Sequence, residues 1–230
     1  MKLDEIASLL AETELFRQLS DGARLQVAER TIKRSFPKGD VVFHEGDPGD
    51  SLFVVANGLV KVFVTSPEGA EMVLATLDRP DTFGELAVVD GGPRSASVRA
   101  IESTVLIALR RTAFMEMLAS EPGLAEALNR SLGALLRRVL QQVSDLVFLD
   151  LPGRVAKLLL NLADAIGEPT DQGTLLELNI SQSTLAEMVG GSRPTVNQIL
   201  HAFSARGYVE LKGRKILICK PEALRRRAAI

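Results

Sequence analysis

The stretch Ser181-Gln182-Ser183-Thr184-Leu185-Ala186-Glu187-Met188-Val189-Gly190-Gly191-Ser192-Arg193-Pro194-Thr195-Val196-Asn197-Gln198-Ile199-Leu200-His201-Ala202-Phe203 reads as two short helices joined by a tight turn. In the first, Gln182 to Val189, the apolar residues Leu185, Ala186 and Val189 share one face. Gly190-Gly191 supply the turn, and Ser192 is a good N-cap for the second helix. Pro194 falls in that helix's first turn, where its missing N–H costs nothing. The second helix, Arg193 to Ala205, buries Val196, Ile199, Leu200 and Phe203 and presents Arg193, Thr195, Asn197, Gln198 and His201. Two helices so joined form a helix-turn-helix unit, and polar side chains at the second helix's start can pair with base edges. An ordinary αα-corner is the plain alternative. Against it stands the next segment, a hairpin of Tyr208 to Leu211 and Lys215 to Ile218 with Lys212, Arg214 and Lys215 at its turn. A basic wing of this kind can contact phosphate. The candidate DNA-binding residues are Gln182, Ser192, Arg193, Thr195, Asn197, Gln198, His201, Lys212 and Arg214.

Charge supports this reading. Of 230 residues, 1–150 hold 16 basic and 22 acidic side chains, while 151–230 hold 11 basic and 7 acidic. The C-terminal part is thus positive within a chain of net charge −2, as expected for a segment that meets a polyanion. Uneven surface charge alone is the simpler explanation. A short strand (Leu175, Leu176, Leu178, Ile180) and a helix from near Arg154 to Ile166 precede the two helices, and a basic tail with Arg225-Arg226-Arg227 follows the hairpin.

Farther upstream, Asp150-Leu151-Pro152-Gly153 reads as a break, because Pro152 disfavours helix at Leu151. Before it, Leu124, Leu128, Leu132, Leu135, Val139, Val143 and Leu146 form one apolar stripe. The stripe either covers its own domain's core or is a two-helix seam, and its length favours the seam. Residues 33–110 change texture. Short β-type runs (Val41–Phe43, Leu52–Val55, Val60–Val64, Met72–Leu74, Val105–Leu109) alternate with turn signals. Asn57-Gly58 between two runs predicts a hairpin. The pattern predicts an antiparallel barrel or roll. Helical spacing over Leu3 to Leu19 and from Asp21 to Arg30 precedes it.

Several function classes drop out. One cysteine, Cys219, cannot build a disulfide framework, an iron–sulfur cluster or a cysteine-type zinc site. His44 and His201 lie far apart and alone form no metal centre, so no metal is expected. The longest run free of Asp, Glu, Lys and Arg is Pro194 to Ala205, too short to span a bilayer. Met1-Lys2-Leu3-Asp4-Glu5 has no signal-peptide core, so the expectation is a soluble cytoplasmic protein that does not engage membranes.

A second candidate site is Phe83-Gly84-Glu85-Leu86-Ala87 followed by Pro93-Arg94-Ser95-Ala96. Arg94 offers a rigid fork of donors to a phosphate, and Ser95 adds a hydroxyl. Glu85 can accept from a ribose hydroxyl, so together they suit a nucleotide. A surface Glu85–Arg94 salt bridge is the bland reading, worth about 0–1 kcal/mol.

With these segments in view, the sequence resembles the CRP/FNR family of bacterial transcription regulators over essentially its whole length. Phe83–Ala87 with Pro93–Ala96 looks like the family's phosphate-binding cassette, Phe148-Leu149-Asp150-Leu151-Pro152-Gly153-Arg154-Val155-Ala156 like its hinge, and Val189–Asn197 like the start of its recognition helix. The resemblance implies an α+β chain: an N-terminal antiparallel β-roll of the cyclic-nucleotide-binding type (1–110), a long dimerisation helix and hinge (111–150), and a C-terminal winged helix-turn-helix (151–230). Gly84 and Glu85 would hold the ribose side of a cyclic nucleotide and Arg94 and Ser95 its phosphate, with Leu86 in the same cassette. The pair that holds adenine in cAMP-responsive members corresponds to Val139 and Leu140, neither of which can donate a side-chain hydrogen bond. Where many members carry Arg-Glu-Thr this chain has Arg193-Pro194-Thr195, and Gln198 replaces a later base-reading Arg. Gln suits adenine better than guanine, so the operator is expected to differ from the commonest family half-site. The implied protein is not an enzyme but an allosteric homodimer controlled by cAMP or another cyclic nucleotide. Its partners would be a two-fold symmetric DNA operator and RNA polymerase. The alternatives are the same regulator sensing a different signal or none and, remotely, a cupin-like metal enzyme with an appended helix-turn-helix.

Overall fold

The computed structural model describes residues 1–178, 180–213 and 215–229. It is α+β and divides into two compact units, residues 1–64 with 74–138 and residues 65–73 with 139–230.

Helices α1 (Leu3–Glu12) and α2 (Asp21–Glu29) open the first unit. The helical spacing expected through Leu19 breaks at Thr13. Its hydroxyl donates to the Leu10 carbonyl at 2.7 Å and accepts from Phe16 N–H at 3.0 Å, turning the chain while Leu15 and Phe16 stay buried. Strands β1 (Thr31–Phe36), β2 (Val41–Phe43), β3 (Ser51–Asn57), β4 (Val60–Thr65), β5 (Glu71–Leu77), β6 (Thr82–Phe83), β7 (Ser97–Ala100) and β8 (Thr104–Arg110) follow. They form two sheets, β1-β8-β3-β6 and β2-β7-β4-β5. Strand β3 explains why both faces of the first sheet are apolar. Leu52, Val54 and Ala56 meet the helices, while Phe53 and Val55 face a second cluster with Val60, Phe83, Val98 and Leu106.

The Asn57-Gly58 hairpin is overturned. Strand β3 pairs with β8 and β6 and β4 pairs with β7, so the turn steps between sheets. Gly58 is still required there. Its φ is +94°, and a Cβ would lie 2.6 Å from the Ser103 carbonyl oxygen.

Helices α3 (Glu85–Asp90), α4 (Arg111–Ser120) and α5 (Pro122–Phe148) complete this part of the chain. The first part of the expected seam is overturned. Leu124 and Leu128 are buried in the roll's own core, with Leu132 packed against it. Only farther along does α5 expose an apolar face: Leu136, Val139, Leu140, Val143, Leu146 and Val147, followed by Phe148 at the helix end.

The second unit adds α6 (Leu151–Ile166), β9 (Glu168–Thr170), β10 (Gly173–Glu177), α7 (Gln182–Met188), α8 (Arg193–Ala205), β11 (Val209–Lys212), β12 (Lys215–Ile218) and α9 (Pro221–Arg227). The sheet order is β11-β12-β10-β9. Helix α6 starts at Leu151 rather than near Arg154. Asp150 caps it by accepting from Gly153 N–H at 2.9 Å, and Pro152 sits in the first turn, where no backbone donor is needed. The basic tail is not loose but is the last turn of α9, anchored by buried Leu224. Ile199 is half-buried, at the edge of a core that holds Val196, Leu200 and Phe203.

Candidate functional site

The cassette residues Gly84, Glu85, Leu86, Arg94 and Ser95 lie on or beside α3. Gly84 caps this helix in the left-handed region, and a Cβ there would meet Arg94 Nη1 at 2.6 Å, so only glycine lets the arginine come so close. Arg94 is 4% exposed. Its backbone is held by the preceding loop: Arg94 N–H donates to the Asp47 carbonyl at 2.8 Å, and Gly46 N–H to the Arg94 carbonyl at 2.9 Å. Its Nη1 donates to the Gly84 carbonyl at 3.0 Å and Nη2 to the Ser51 carbonyl at 2.7 Å. The Phe43 ring covers the guanidinium, with Cζ 4.2 Å from its centroid.

Two polar atoms of the cassette are buried without a hydrogen-bond partner: Arg94 Nε and Glu85 Oε2. The bland Glu85–Arg94 salt bridge is therefore not made; Arg94's terminal nitrogens serve backbone carbonyls instead. Burial pushes the Glu85 carboxyl above its ordinary range, against the opposing pull of its own backbone N–H, Arg138 and Arg94. Burial likewise lowers Arg94 below its usual value, opposed by Asp50, Asp47 and Glu85. An unpaired donor and an unpaired acceptor in one cassette can bind a molecule carrying an anionic oxygen and a hydroxyl. Leu86 and Ser95 are exposed beside them. Val139 and Leu140 belong to the second unit, where they are 40% and 59% exposed. Phe43, the Ser51 carbonyl and Arg138 were not singled out from sequence. The turn-rich run after Phe43 showed only as punctuation.

In the second unit, α7 and α8 meet as expected. Ser181 Oγ accepts from Thr184 N–H at 3.0 Å and Ser192 Oγ from Thr195 N–H at 3.3 Å, so each helix has its cap. Gly190 has φ +64°, and a Cβ on Gly191 would lie 2.9 Å from Leu151 Cδ1, which explains the paired glycines. Ser192, Arg193, Thr195, Gln198 and His201 are exposed. Asn197 is half-buried and donates from Nδ2 to Gln182 Oε1 at 3.2 Å, tying the two helices at their polar face. Gln182, Arg193, Asn197 and His201 line a recess of about 330 Å³ that Leu211 and Gly213 of the wing close from the other side. Lys212 stands opposite Lys215 across the wing and pairs with Glu210 at 2.9 Å. Arg214 lies outside the described residues. Arg154, read from sequence as part of the hinge and the start of the next helix, donates to the carbonyls of Val189 and Leu149, both at 2.9 Å.

Among the described residues no group of three His, Cys, Asp or Glu side chains could hold a metal ion. None of the helices described is long and apolar enough to cross a membrane.

Two family models match the chain in succession. Residues 33–121 match the cyclic nucleotide-binding domain and residues 153–227 the Crp-like helix-turn-helix domain. The chain is 38% identical over 228 residues to the CRP-like cAMP-activated global transcriptional regulator of Mycobacterium tuberculosis, covering 98% of this chain and 100% of the relative. It is 36% identical over 179 residues to the cyclic AMP receptor protein of Thermus thermophilus, covering 78% and 80%. Among solved structures, a CooA mutant from Carboxydothermus hydrogenoformans superposes with a TM-score of 0.77 at 25% identity, over 87% of this chain and 88% of that one. A cAMP-activated transcriptional regulator and a cyclic AMP receptor protein give no support to the cupin-like metal enzyme. A cyclic nucleotide-binding domain followed by a Crp-like helix-turn-helix, on a chain this similar to such a regulator along its whole length, makes this protein a DNA-binding transcription regulator of the CRP/FNR family.

Proposed function

We propose that the protein is a cytoplasmic, homodimeric regulator whose affinity for a two-fold symmetric DNA operator is set by a cyclic nucleotide, cAMP first among them, bound in each roll. The observation that carries the ligand reading is the pair of buried, unpartnered atoms, Arg94 Nε and Glu85 Oε2. Each costs about 1–3 kcal/mol while unsatisfied, and a cyclic phosphate and a ribose hydroxyl would satisfy them together. Gly84, Leu86 and Ser95 would complete the contact, and Val139 and Leu140 would stand where the family holds adenine. The sensor would comprise residues 1–110, the dimerisation helix and hinge 111–150, and the DNA reader 151–230.

The exposed apolar face of α5 supports the homodimer. Two-fold symmetry then presents two recognition helices to successive major grooves. Ligand control requires that the nucleotide bind the DNA-competent arrangement more tightly than the other. RNA polymerase is the partner through which the DNA-bound dimer would act.

Titration calorimetry with cAMP, cGMP and a cyclic dinucleotide, on wild type and Arg94→Ala, tests this. Saturable binding by wild type that the variant loses is the expected result. A wild-type chain that binds none of them would leave the second reading, the same DNA-binding regulator answering another signal or none. The absence of side-chain donors at Val139 and Leu140 is what favours that reading.

A further inference from the structure

We propose that Phe43 is a positioning residue for the anionic group of the ligand, acting by fixing the plane of the Arg94 guanidinium. The inference rests on the reading of Arg94 as the phosphate-binding residue. A guanidinium has five N–H donors. Two carbonyls, Gly84 and Ser51, each take one from a terminal nitrogen, leaving Nε–H and the second hydrogens of Nη1 and Nη2 for a ligand. Two hydrogen bonds at one end of the group leave its plane free to tilt about the line joining them. The ring of Phe43, 4.2 Å from Cζ, lies against the flat face and removes that freedom.

The orientation of Phe43 distinguishes this contact from ordinary core filling. Phe53 and Phe83 stack on one another, with centroids 5.2 Å apart and planes within 14°. Phe43 lies tilted to both, by 36° and 42°, at longer centroid distances of 5.8 and 6.0 Å. Its nearest such partner is the cation. Phe43 is also half-buried, whereas the two stacked rings are buried. With Arg94 almost fully withdrawn from water, a cation–π contact is at the strong end of its range. A leucine would fill much of the volume and leave only the more distant Phe53 ring, 5.6 Å from Cζ, to face the guanidinium.

The test is titration of the full-length protein with cAMP, comparing wild type, Phe43→Leu, Phe43→Tyr and Arg94→Ala, with thermal melting of each unliganded variant. Phe43→Leu is expected to weaken cAMP binding about tenfold and Phe43→Tyr by less than about threefold. A third substitution, Phe43→pentafluorophenylalanine, keeps the ring's shape and reverses its quadrupole. It should weaken binding at least as much as leucine does and, because the ring already faces the buried guanidinium without ligand, lower the unliganded melting midpoint as well. If Arg94→Ala loses cAMP and both Phe43→Leu and the fluorinated variant bind as wild type does, the phosphate reading stands and the role of Phe43 is overturned. A fluorinated variant of full affinity beside a weakened leucine variant also overturns it, since shape alone then suffices. If wild type does not bind cAMP, or Arg94→Ala binds it equally well, the phosphate reading itself fails and this inference falls with it.

Discussion

Lys157 Nζ lies 2.6 Å from Asp145 Oδ1, in a pair whose side chains are only 14% and 21% exposed. The same carboxylate oxygen accepts from Gln141 Nε2 at 2.9 Å. The pair ties the end of α5 to α6, and nearby contacts extend the tie. Arg154 bridges the Leu149 carbonyl at the end of α5 and the Val189 carbonyl at the end of α7. A Cβ at Gly190 would touch Leu146, and one at Gly191 would collide with Leu151. Asp150, the α6 cap, also bonds Arg227 of α9, and Gly153 lies under the Arg227 carbonyl. The end of α5, the start of α6, the helix-turn-helix turn and α9 are thus packed as one body.

Removing one member of that pair strands the other in a mostly dry setting. Lys157→Met is expected to destabilise the second unit by about 1–3 kcal/mol, because it leaves a largely buried carboxylate with only the neutral Gln141 amide as partner. Adding Asp145→Asn should recover part of the loss, because the stranded charge is gone. Urea unfolding of the two variants measures both effects. Additive losses would mean that the pair contributes no coupling.

Glu85 should pull stability and binding in opposite directions. Its carboxyl is raised by burial, so the folded chain binds its proton more tightly than the unfolded chain does. The ionised form therefore costs stability. The cost is fully present above the folded pKa and vanishes as pH falls below the unfolded one. Glu85→Gln is expected to raise the melting midpoint of the unliganded protein at neutral pH. It should also flatten the gain in stability on acidification through the carboxylate range. In binding the sign reverses. Replacing a carboxylate acceptor by a neutral amide should weaken cyclic-nucleotide affinity by about 1 kcal/mol, the difference between a charge-assisted and a neutral hydrogen bond. Melts across pH and calorimetry at neutral pH separate the two.

The exposed face of α5 makes a cleaner test of assembly than the buried part of the same stripe. Leu124 and Leu128 belong to the roll's core, so charges there would unfold the unit whether or not a dimer forms. Leu136 and Val143 are 59% and 51% exposed within one chain. Leu136→Asp with Val143→Asp should leave each chain folded and yield monomers, since charges would be buried against their own copies at the seam. Sedimentation equilibrium with a circular-dichroism control decides it. A folded double variant that still sediments as a dimer places the seam elsewhere.

What could be read beforehand depended on whether a signal was local. The Ser192 cap, the Gly190-Gly191 turn and the wing are local, and each was found within a residue of where it was predicted. The exchange between sheets at Asn57-Gly58 is not local. The dipeptide has the turn chemistry of a hairpin, and only pairing with β8 and β7 shows that it joins two sheets. Strand β1, with Lys33 and Arg34 exposed on an edge, lacks the apolar alternation that marks a strand and was missed. Strand β7 lies so close to the cassette that its alternation was absorbed into the loop reading. In the pocket, Gly84, Glu85 and Arg94 were legible as chemistry, whereas the carbonyl of Ser51 and the ring of Phe43 reach Arg94 only through the fold. The break between α5 and α6 falls at Leu149-Asp150, just before Pro152 rather than at it, because a proline in a first helical turn and a proline after a helix look alike until the cap, here Asp150, is identified.

Reading and positioning of DNA should separate by residue. Gln198 is exposed on α8 one residue after Asn197, on the side away from buried Val196 and Leu200. Its amide can pair with adenine N6 and N7, a contact worth about 1–3 kcal/mol of discrimination. Gln198→Ala is therefore expected to relax base preference at one position in each half-site. Asn197 spends a donor on Gln182, so Gln182→Ala should loosen the orientation of Asn197 and broaden preference at a neighbouring position. Lys212 carries no such information. Its ammonium, now paired with Glu210 on an exposed wing, would move to a phosphate. Lys212→Ala should weaken binding to all sequences and flatten the salt dependence by about one counterion per lost contact. Selection from a random DNA library, followed by salt titration of the selected sites, resolves the two. A Gln198 variant that selects the wild-type consensus, beside a Lys212 variant that changes it, would exchange the assigned roles.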